Sequence, residues 1–274
     1  PGTLSVISVR CDYLSVDLDD SIKALEKADI AYVSRYALGR DYHKVLRSKL
    51  KKLANSIQDL VGSLGYRVFT DSAPVLERAL ARNSGLGWIG KNTNLLSKKD
   101  GSMFFLGEIF TDIPLEPSKV APKNHCGTCR ECIDVCPTKA IIAPYQLDAN
   151  RCISYLTIES KKSIPIEFRK SIGNRIFGCD DCQLFCPWNK YAKLTAVTDF
   201  TPRHGLEKTK LTDLFLLDED EFEKITIGSA IRRVSYPQWI RNLAIALGNA
   251  PTSPEVLQAL EKRLTFPDEM VLEH

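Results

Sequence analysis

Along the first 115 residues the hydrophobic pattern changes period several times. Leu4-Ser5-Val6-Ile7-Ser8-Val9 alternates, the two-residue period of a strand with one covered face. Residues 12–31 are acidic and irregular, and Ala31 to Ala37 leads to a glycine turn at Gly39. Tyr42, Leu46, Leu50, Leu53, Ile57, Leu60 and Leu64 then fall at spacings of three and four, which predicts a helix from Asp41 to Leu64 stopped by Gly65. Its other face carries Arg40, His43, Lys44, Arg47, Lys49, Lys51 and Lys52, read either as a solvated face or as a phosphate-binding one. Tyr66 to Thr70 reads as a short strand ending at Asp71. Ser72 and Pro74 open a helix through Leu76, Leu80 and Ala81, closed by Gly85. A strand that ends in a polar residue and turns into a helix is where open α/β sheets place ligands. Leu86 to Asn92 is a glycine-spaced loop, and Met103 to Phe110 a buried strand.

After a proline-containing linker, Pro114 to Pro122, cysteines dominate. Cys126, Cys129, Cys132 and Cys136-Pro137 have the spacing C-x2-C-x2-C-x3-C-P, the bacterial ferredoxin run whose fourth cysteine reaches to a second cluster. Cys179, Cys182 and Cys186-Pro187 repeat its tail, and Cys152 is the candidate for the missing ligand. The crossover rule assigns Cys126, Cys129, Cys132 and Cys186 to one [4Fe–4S] cluster and Cys136, Cys152, Cys179 and Cys182 to another. Two four-cysteine zinc sites are the alternative, but zinc gives no reason for a third cysteine at the same spacing followed by Cys-Pro. Disulfides are disfavoured because cysteines so close in sequence pair poorly among themselves. Cys11, in the first strand, reads as a buried core thiol. From 209 onward the pattern is helical again, over Leu211–Phe215, Ser229–Leu247 and Ser253–Leu264. The last two look like one α-solenoid pair that packs on the cysteine region or continues past His274.

With 274 residues, 44% of them apolar, there is material for about two domains and a sizeable core. A net charge of +3 confines any nucleic-acid surface to a local patch. No run of 18 apolar residues exists, so no membrane-spanning helix is expected, and eight reduced metal-ligating cysteines point to the cytoplasm. The chain opens Pro1-Gly2-Thr3 and stops at Val271-Leu272-Glu273-His274 in mid-pattern, and both ends look cut.

Taken together, Ser34 to Lys44, Asp71-Ser72-Ala73-Pro74, Gly85-Leu86-Gly87-Trp88, the run Cys126 to Pro137, Arg151 to Thr157 and Gly178 to Gln183 resemble the epoxyqueuosine reductase family over nearly the whole chain. The resemblance implies a mixed α+β and α/β fold in three parts. These are a cobalamin-binding α/β domain over 1–115, a ferredoxin-like domain with two [4Fe–4S] clusters over 116–205, and a HEAT-like helical segment over 206–274. It implies reduction of epoxyqueuosine to queuosine at the tRNA wobble position, consuming two electrons and two protons. It makes Asp71 the general acid, whereas the residues alone read Asp71 with Ser72 as a helix N-cap. It implies cobalamin without a protein histidine on cobalt, contacted by Ser34, Asp71, Ser154, Cys179 and Asp180, with Leu95 and Leu106 as walls.

Asp41-Tyr42-His43-Lys44-Val45-Leu46 nearly imitates the D-x-H-x-x-G histidine-ligand pattern, but Leu46 stands where glycine is needed, so it is set aside. Some family members carry cysteine where this chain has Ser34, which weakens any role for a thiol there. The expected partners are tRNA, contacted by Lys44, Arg47, Lys51, Arg232 and Arg233, and an electron donor such as a flavodoxin or ferredoxin. A monomer is expected. A reductive dehalogenase-like corrinoid enzyme and a plain electron-transfer module are the competing readings. The second leaves residues 1–115 without a purpose.

Overall fold

The computed structural model describes residues 2–119 and 122–274. The first strand forms and runs further than the alternation predicts, as β1 (Ser5–Asp12). The acidic stretch after it is not irregular: it holds α1 (Leu18–Glu26), where Asp17 accepts from the Asp19 N–H and further acids occupy the positive first turn. After β2 (Tyr32–Val33) and a 3₁₀ turn at Arg35–Ala37 comes α2 (Tyr42–Val61), capped by the Asp41 carboxylate. It stops at Gly62, whose φ of +88° only glycine adopts easily, three residues before the expected stop. The apolar stripe packs at its N-terminal end, but Leu53 and Leu60 lie past the covered part and are exposed.

Next come β3 (Tyr66–Phe69) and α3, which opens only at Glu77 and runs to Asn83. The helix expected from Ser72 is therefore late, and its N-cap position is Leu76, with no side-chain cap. That removes the N-cap reading of Asp71. The glycine-spaced loop contains one arm of a hairpin, β4 (Trp88–Ile89) with β5 (Leu95–Leu96). The long strand β6 (Phe104–Thr111) lies between β1 and β3, antiparallel to both. Helix α2 packs on the face of β6 that holds Ile109 and α3 on the face that holds Phe104, which explains its nearly continuous apolar run. The expected linker from Pro114 includes Val120 and Ala121, which lie outside the described residues.

The cysteine region is built from short pieces: α4 (Glu131–Asp134), β7 (Ile141–Ala143), β8 (Gln146–Leu147), a π-helical turn at Tyr155–Glu159, α5 (Ile166–Ile172), β9 (Arg175–Phe177) and α6 (Asp181–Leu184). Helices α7 (Leu211–Leu216), α8 (Glu219–Thr226), α9 (Tyr236–Asn249), α10 (Pro254–Glu261) and α11 (Glu269–Glu273) follow. The expected single helix from Ser229 to Leu247 is two pieces, because Ser235 and Gln238 form a capping box that starts α9 afresh. Helix α8 was not expected, although its Asp218/Glu221 capping box was present in the sequence.

Two joints position the site. β2 pairs in parallel with β9, with Tyr32 against Arg175 and Val33 against Phe177, which brings Ser34 beside Cys179 and Asp180. Helix α9 packs on the cysteine region, as expected of the C-terminal helices. Its Asn242 amide donates to the carbonyls of Thr157 (2.8 Å) and Ile176 (2.9 Å). Arg241, fully buried, donates to Leu156 O (2.9 Å), Ser160 O (2.8 Å) and Lys162 O (2.7 Å). One apolar cluster runs from Val33 and Leu38 through Phe177 to Trp239 and Leu243.

Candidate functional site

The cysteines fall into two groups of four. Cys126, Cys129, Cys132 and Cys186 line a cavity of about 280 Å³, with Trp188 and His125 at its rim. Cys136, Cys152, Cys179 and Cys182 line a second of about 260 Å³. These are the crossed sets that the spacing predicts: Cys136 leaves its neighbours in the run, and Cys186 joins them. Short helices make the crossing possible, since α4 carries Cys132 and α6 carries Cys182 on facing turns. Backbone and side-chain N–H groups point at several sulfurs, with Ala140 N 3.2 Å from Cys136 Sγ and Trp88 Nε1 3.5 Å from Cys126 Sγ. Four sulfurs around one tetrahedral ion would sit within about 4 Å of each other. Among the described residues no three such side chains close on a single ion, so the sets of four suit the wider iron–sulfur cubanes instead. Burial, followed by the neighbouring Cys186, Cys126 and Cys129, pushes the Cys132 thiol up to about 11. Burial likewise raises Cys182, followed by Cys152, Cys132 and Cys136. Metal must therefore displace protons to bind either set. Cys11 is a half-buried thiol of β1, away from both groups.

A third cavity, of about 420 Å³, opens where β1 and β3 end. Tyr36, Arg78, Asn94 and Gln183 line both it and the Cys136/Cys152/Cys179/Cys182 cavity, so the two adjoin. The residues implied as cobalamin contacts divide between them. Asp71, Leu95 and Leu106 line the third cavity, and Ser34, Ser154, Cys179 and Asp180 line the cysteine cavity. Ser34 and Asp180 are bonded to each other and buried. The Asp180 carboxylate accepts from Ser34 Oγ (2.5 Å), Tyr32 OH (2.8 Å) and Arg35 N (2.7 Å). Gly178, at φ +72°, makes this possible, because a Cβ there would lie 2.6 Å from Ser34 Cβ. The apolar wall of Leu95, Phe104 and Leu106 fits the flat apolar body of a corrin.

Asp71 has a setting that the strand–turn pattern did not show. It sits at φ +55°, its side chain 60% exposed, and its Oδ2 accepts from the Tyr42 hydroxyl. The same oxygen lies 3.3 Å from His43 Nε2, and His43 Nδ1 lies 2.8 Å from Asp41 Oδ1. The cap of α2, Asp41, thus orients His43 onto Asp71, while Tyr42 stacks on Phe105 at 4.2 Å. The hydrogen bond from His43 holds the Asp71 carboxyl below its ordinary range, against burial, which acts to raise it. His43 is pushed up to about 9, by Asp41 first and Asp71 next. In the protein alone Asp71 is therefore ionised, and the proton rests on His43 and Tyr42.

The basic residues form two groups near this mouth. Lys44, Arg47 and Lys51 are exposed along α2, and Arg47 donates to Ser72 Oγ beside Asp71. Arg232 pairs with Glu223 (3.0 Å) and Arg233 with Glu159 (2.7 Å), and the Arg233 charge also reaches Asp71. Sequence reasoning missed Tyr42, His43, Glu77, Arg78, Asn94 and Gln183. Only His43 left a trace, in the motif set aside because Leu46 lacks its glycine.

Comparisons with known proteins agree with this geometry. A 4Fe-4S double cluster binding domain matches residues 125–189, and an epoxyqueuosine reductase QueG family model matches residues 1–72. Epoxyqueuosine reductase of Pseudomonas aeruginosa is 57% identical over all 274 residues, which span 76% of that protein. The enzyme of Xanthomonas campestris is 58% identical over the whole chain and 77% of its own length. Among solved structures, a Bacillus subtilis epoxyqueuosine reductase, described with its catalytic aspartate loop swung out of the active site, matches with TM-score 0.85 at 31% identity. That match covers 99% of this chain and 72% of the other. An epoxyqueuosine reductase crystallised with an epoxyqueuosine-modified tRNA-Tyr stem loop matches with TM-score 0.80 at 28% identity, over 100% of this chain and 80% of the other. Sequence identity over the whole length, the paired cysteine sets and the shared fold place the chain in the epoxyqueuosine reductase family.

Proposed function

We propose that this protein reduces epoxyqueuosine to queuosine at the wobble position of tRNA, with water as the second product. The observation that carries the reading is the shared wall. The cavity holding Asp71 adjoins the cavity lined by Cys136, Cys152, Cys179 and Cys182, so a proton source and an electron source face one space. Removing an epoxide oxygen as water takes two electrons and two protons. The two [4Fe–4S] clusters deliver electrons singly, and cobalamin, when bound, supplies a strongly reducing, nucleophilic cobalt.

The residues of this chain do the rest. Leu95, Leu106, Ser154 and the buried Ser34–Asp180 pair would hold the corrin, with Cys179 nearby. Asp71 faces the leaving oxygen, the protonated His43 behind it passes its proton through the carboxylate to that oxygen, and a second proton drawn from solvent through His43 completes the water, so the pair acts as one acid. Lys44, Arg47, Lys51, Arg232 and Arg233 would meet tRNA phosphates around the mouth. We keep the three-part organisation at 1–115, 116–205 and 206–274, a cytoplasmic monomer, and a flavodoxin or ferredoxin as donor. No helix among the described residues is long and apolar enough to cross a membrane. A dehalogenase-like reaction would use the same metals but gives no role to the basic groups at the mouth. The test is anaerobic incubation of cobalamin-loaded protein with an epoxyqueuosine-bearing anticodon stem loop and a chemical reductant. Queuosine should form, and failure with both cofactors loaded would overturn the reading.

A further inference from the structure

Asp71 carries a conformational burden that the site described so far does not explain. It is a non-glycine residue in the left-handed region, at φ +55°, on the connection between β3, which ends at Phe69, and α3, which opens at Glu77. Its backbone N–H donates to Glu77 Oε1 at 2.5 Å, and Glu77 is the first residue of α3. Behind Glu77 lies Glu108 of β6, fully buried, with both carboxyl oxygens lacking a donor in the structure. The hydroxyl of Ser8, opposite Glu108 across the β1–β6 ladder, is also buried without a partner. Glu108 is shut away from water and Glu77 is half-buried against it, and two carboxyls in contact there share a proton rather than stand as two charges. Burial first, then Glu77, pushes Glu108 up to about 9, and burial raises Glu77 as well.

We infer that Glu77, fixed by a hydrogen bond from protonated Glu108, is a positioning residue that latches the Asp71 turn with its carboxylate toward His43 and Tyr42. The inference rests on the reading of Asp71 as the proton-delivering group. Glu108 is the donor, Glu77 accepts from it and from the Asp71 N–H, and neither touches the reacting atoms. The Glu77 side chain lines the Asp71 cavity, so the latch stands at the edge of the space where the substrate would lie. A catalytic aspartate loop that swings out in the Bacillus subtilis relative is the kind of segment that needs such a latch.

The experiment uses the holoenzyme and the variants Glu77→Ala, Glu77→Gln, Glu108→Leu and Glu108→Gln. Glutamine at 77 keeps an acceptor for the Asp71 N–H, and glutamine at 108 keeps a donor for Glu77. Both should retain turnover within about threefold. Glu77→Ala should lower kcat about tenfold or more with KM for the stem loop unchanged, and Glu108→Leu should fall between. Iron content and cobalamin binding should match wild type in all four, which shows that the fold survives. Independently of turnover, the His43 imidazole should titrate lower in Glu77→Ala than in wild type, because Asp71 no longer stays in contact. An unchanged His43 titration, or equal kcat for Glu77→Ala and Glu77→Gln, would overturn the latch. Wild-type protein inactive on the stem loop would instead defeat the functional reading, and the His43 titration would still judge the latch.

Discussion

Replacing Asp71 by asparagine tests the acid unit most directly. Raising His43 from 6.5 to about 9 is worth about 3.4 kcal/mol at 1.36 kcal/mol per pH unit. Asp41 supplies the largest part. The Asp71 side chain is 60% exposed, so solvent screening limits its share to about 0.5–1 kcal/mol. Asp71→Asn should thus lower the His43 titration by about 0.4–0.7 pH units, and Asp41→Asn by more. The chain has four histidines, so carbon–proton correlation spectra across pH 5–10 resolve His43 in each variant.

The signs are fixed by the two directions. His43 is raised, so its contribution to stability is full below pH 6.5 and fades as pH rises through about 9. Asp71 is lowered, so its contribution is present above its ordinary value of 3.8 and fades as pH falls through the depressed one. Turnover should follow the same upper limit and decline through about pH 9. Asp71→Asn should cost about 10²–10⁴-fold in turnover while cluster content and melting temperature barely change, since α3 begins six residues beyond it. A wild-type His43 that titrates near 6.5, or an active Asp71→Asn enzyme, would refute the reasoning.

Cys136→Ala should remove the same cluster signal as Cys179→Ala, and Cys132→Ala the same one as Cys186→Ala, in electron paramagnetic resonance of the reduced protein. Loss of one common signal by Cys136→Ala and Cys132→Ala would break the crossed assignment. Replacing Lys44, Arg47 and Lys51 with alanine should weaken stem-loop binding and flatten its dependence on salt by about two to three in log–log slope, with iron content unchanged. Unaltered affinity at low salt would leave that face of α2 merely solvated. Arg241→Ala should lower stability by about 3 kcal/mol, because carbonyls of Leu156, Ser160 and Lys162 lose their donor inside the protein. Calorimetry measures the loss, and iron analysis should show that the cluster held by Cys152 suffers first.

What depended on local spacing was readable in advance. The C-x2-C-x2-C-x3-C-P run pointed to iron–sulfur chemistry and to the crossed grouping in which the cysteines line their two cavities, because ligand spacing is itself the geometry of such a site. The apolar stripe of α2 was legible because burial of one face imposes a period of 3.6, and β6 because burial of both faces leaves a short continuous apolar run. Capping residues were legible in principle, and the Asp218 and Ser235 boxes mark starts that hydrophobic periodicity alone merges or misses. The proton side of the site was not. His43 sits on a face that composition marks as solvated, and only the end of β3 brings Asp71 to it, 28 residues later in the chain. Glu77 and Glu108 are unremarkable carboxylates until α3 packs on β6, where Glu108 is fully buried and Glu77 half-buried. Charge state there follows from burial and neighbours, and those are properties of packing rather than of any stretch of sequence.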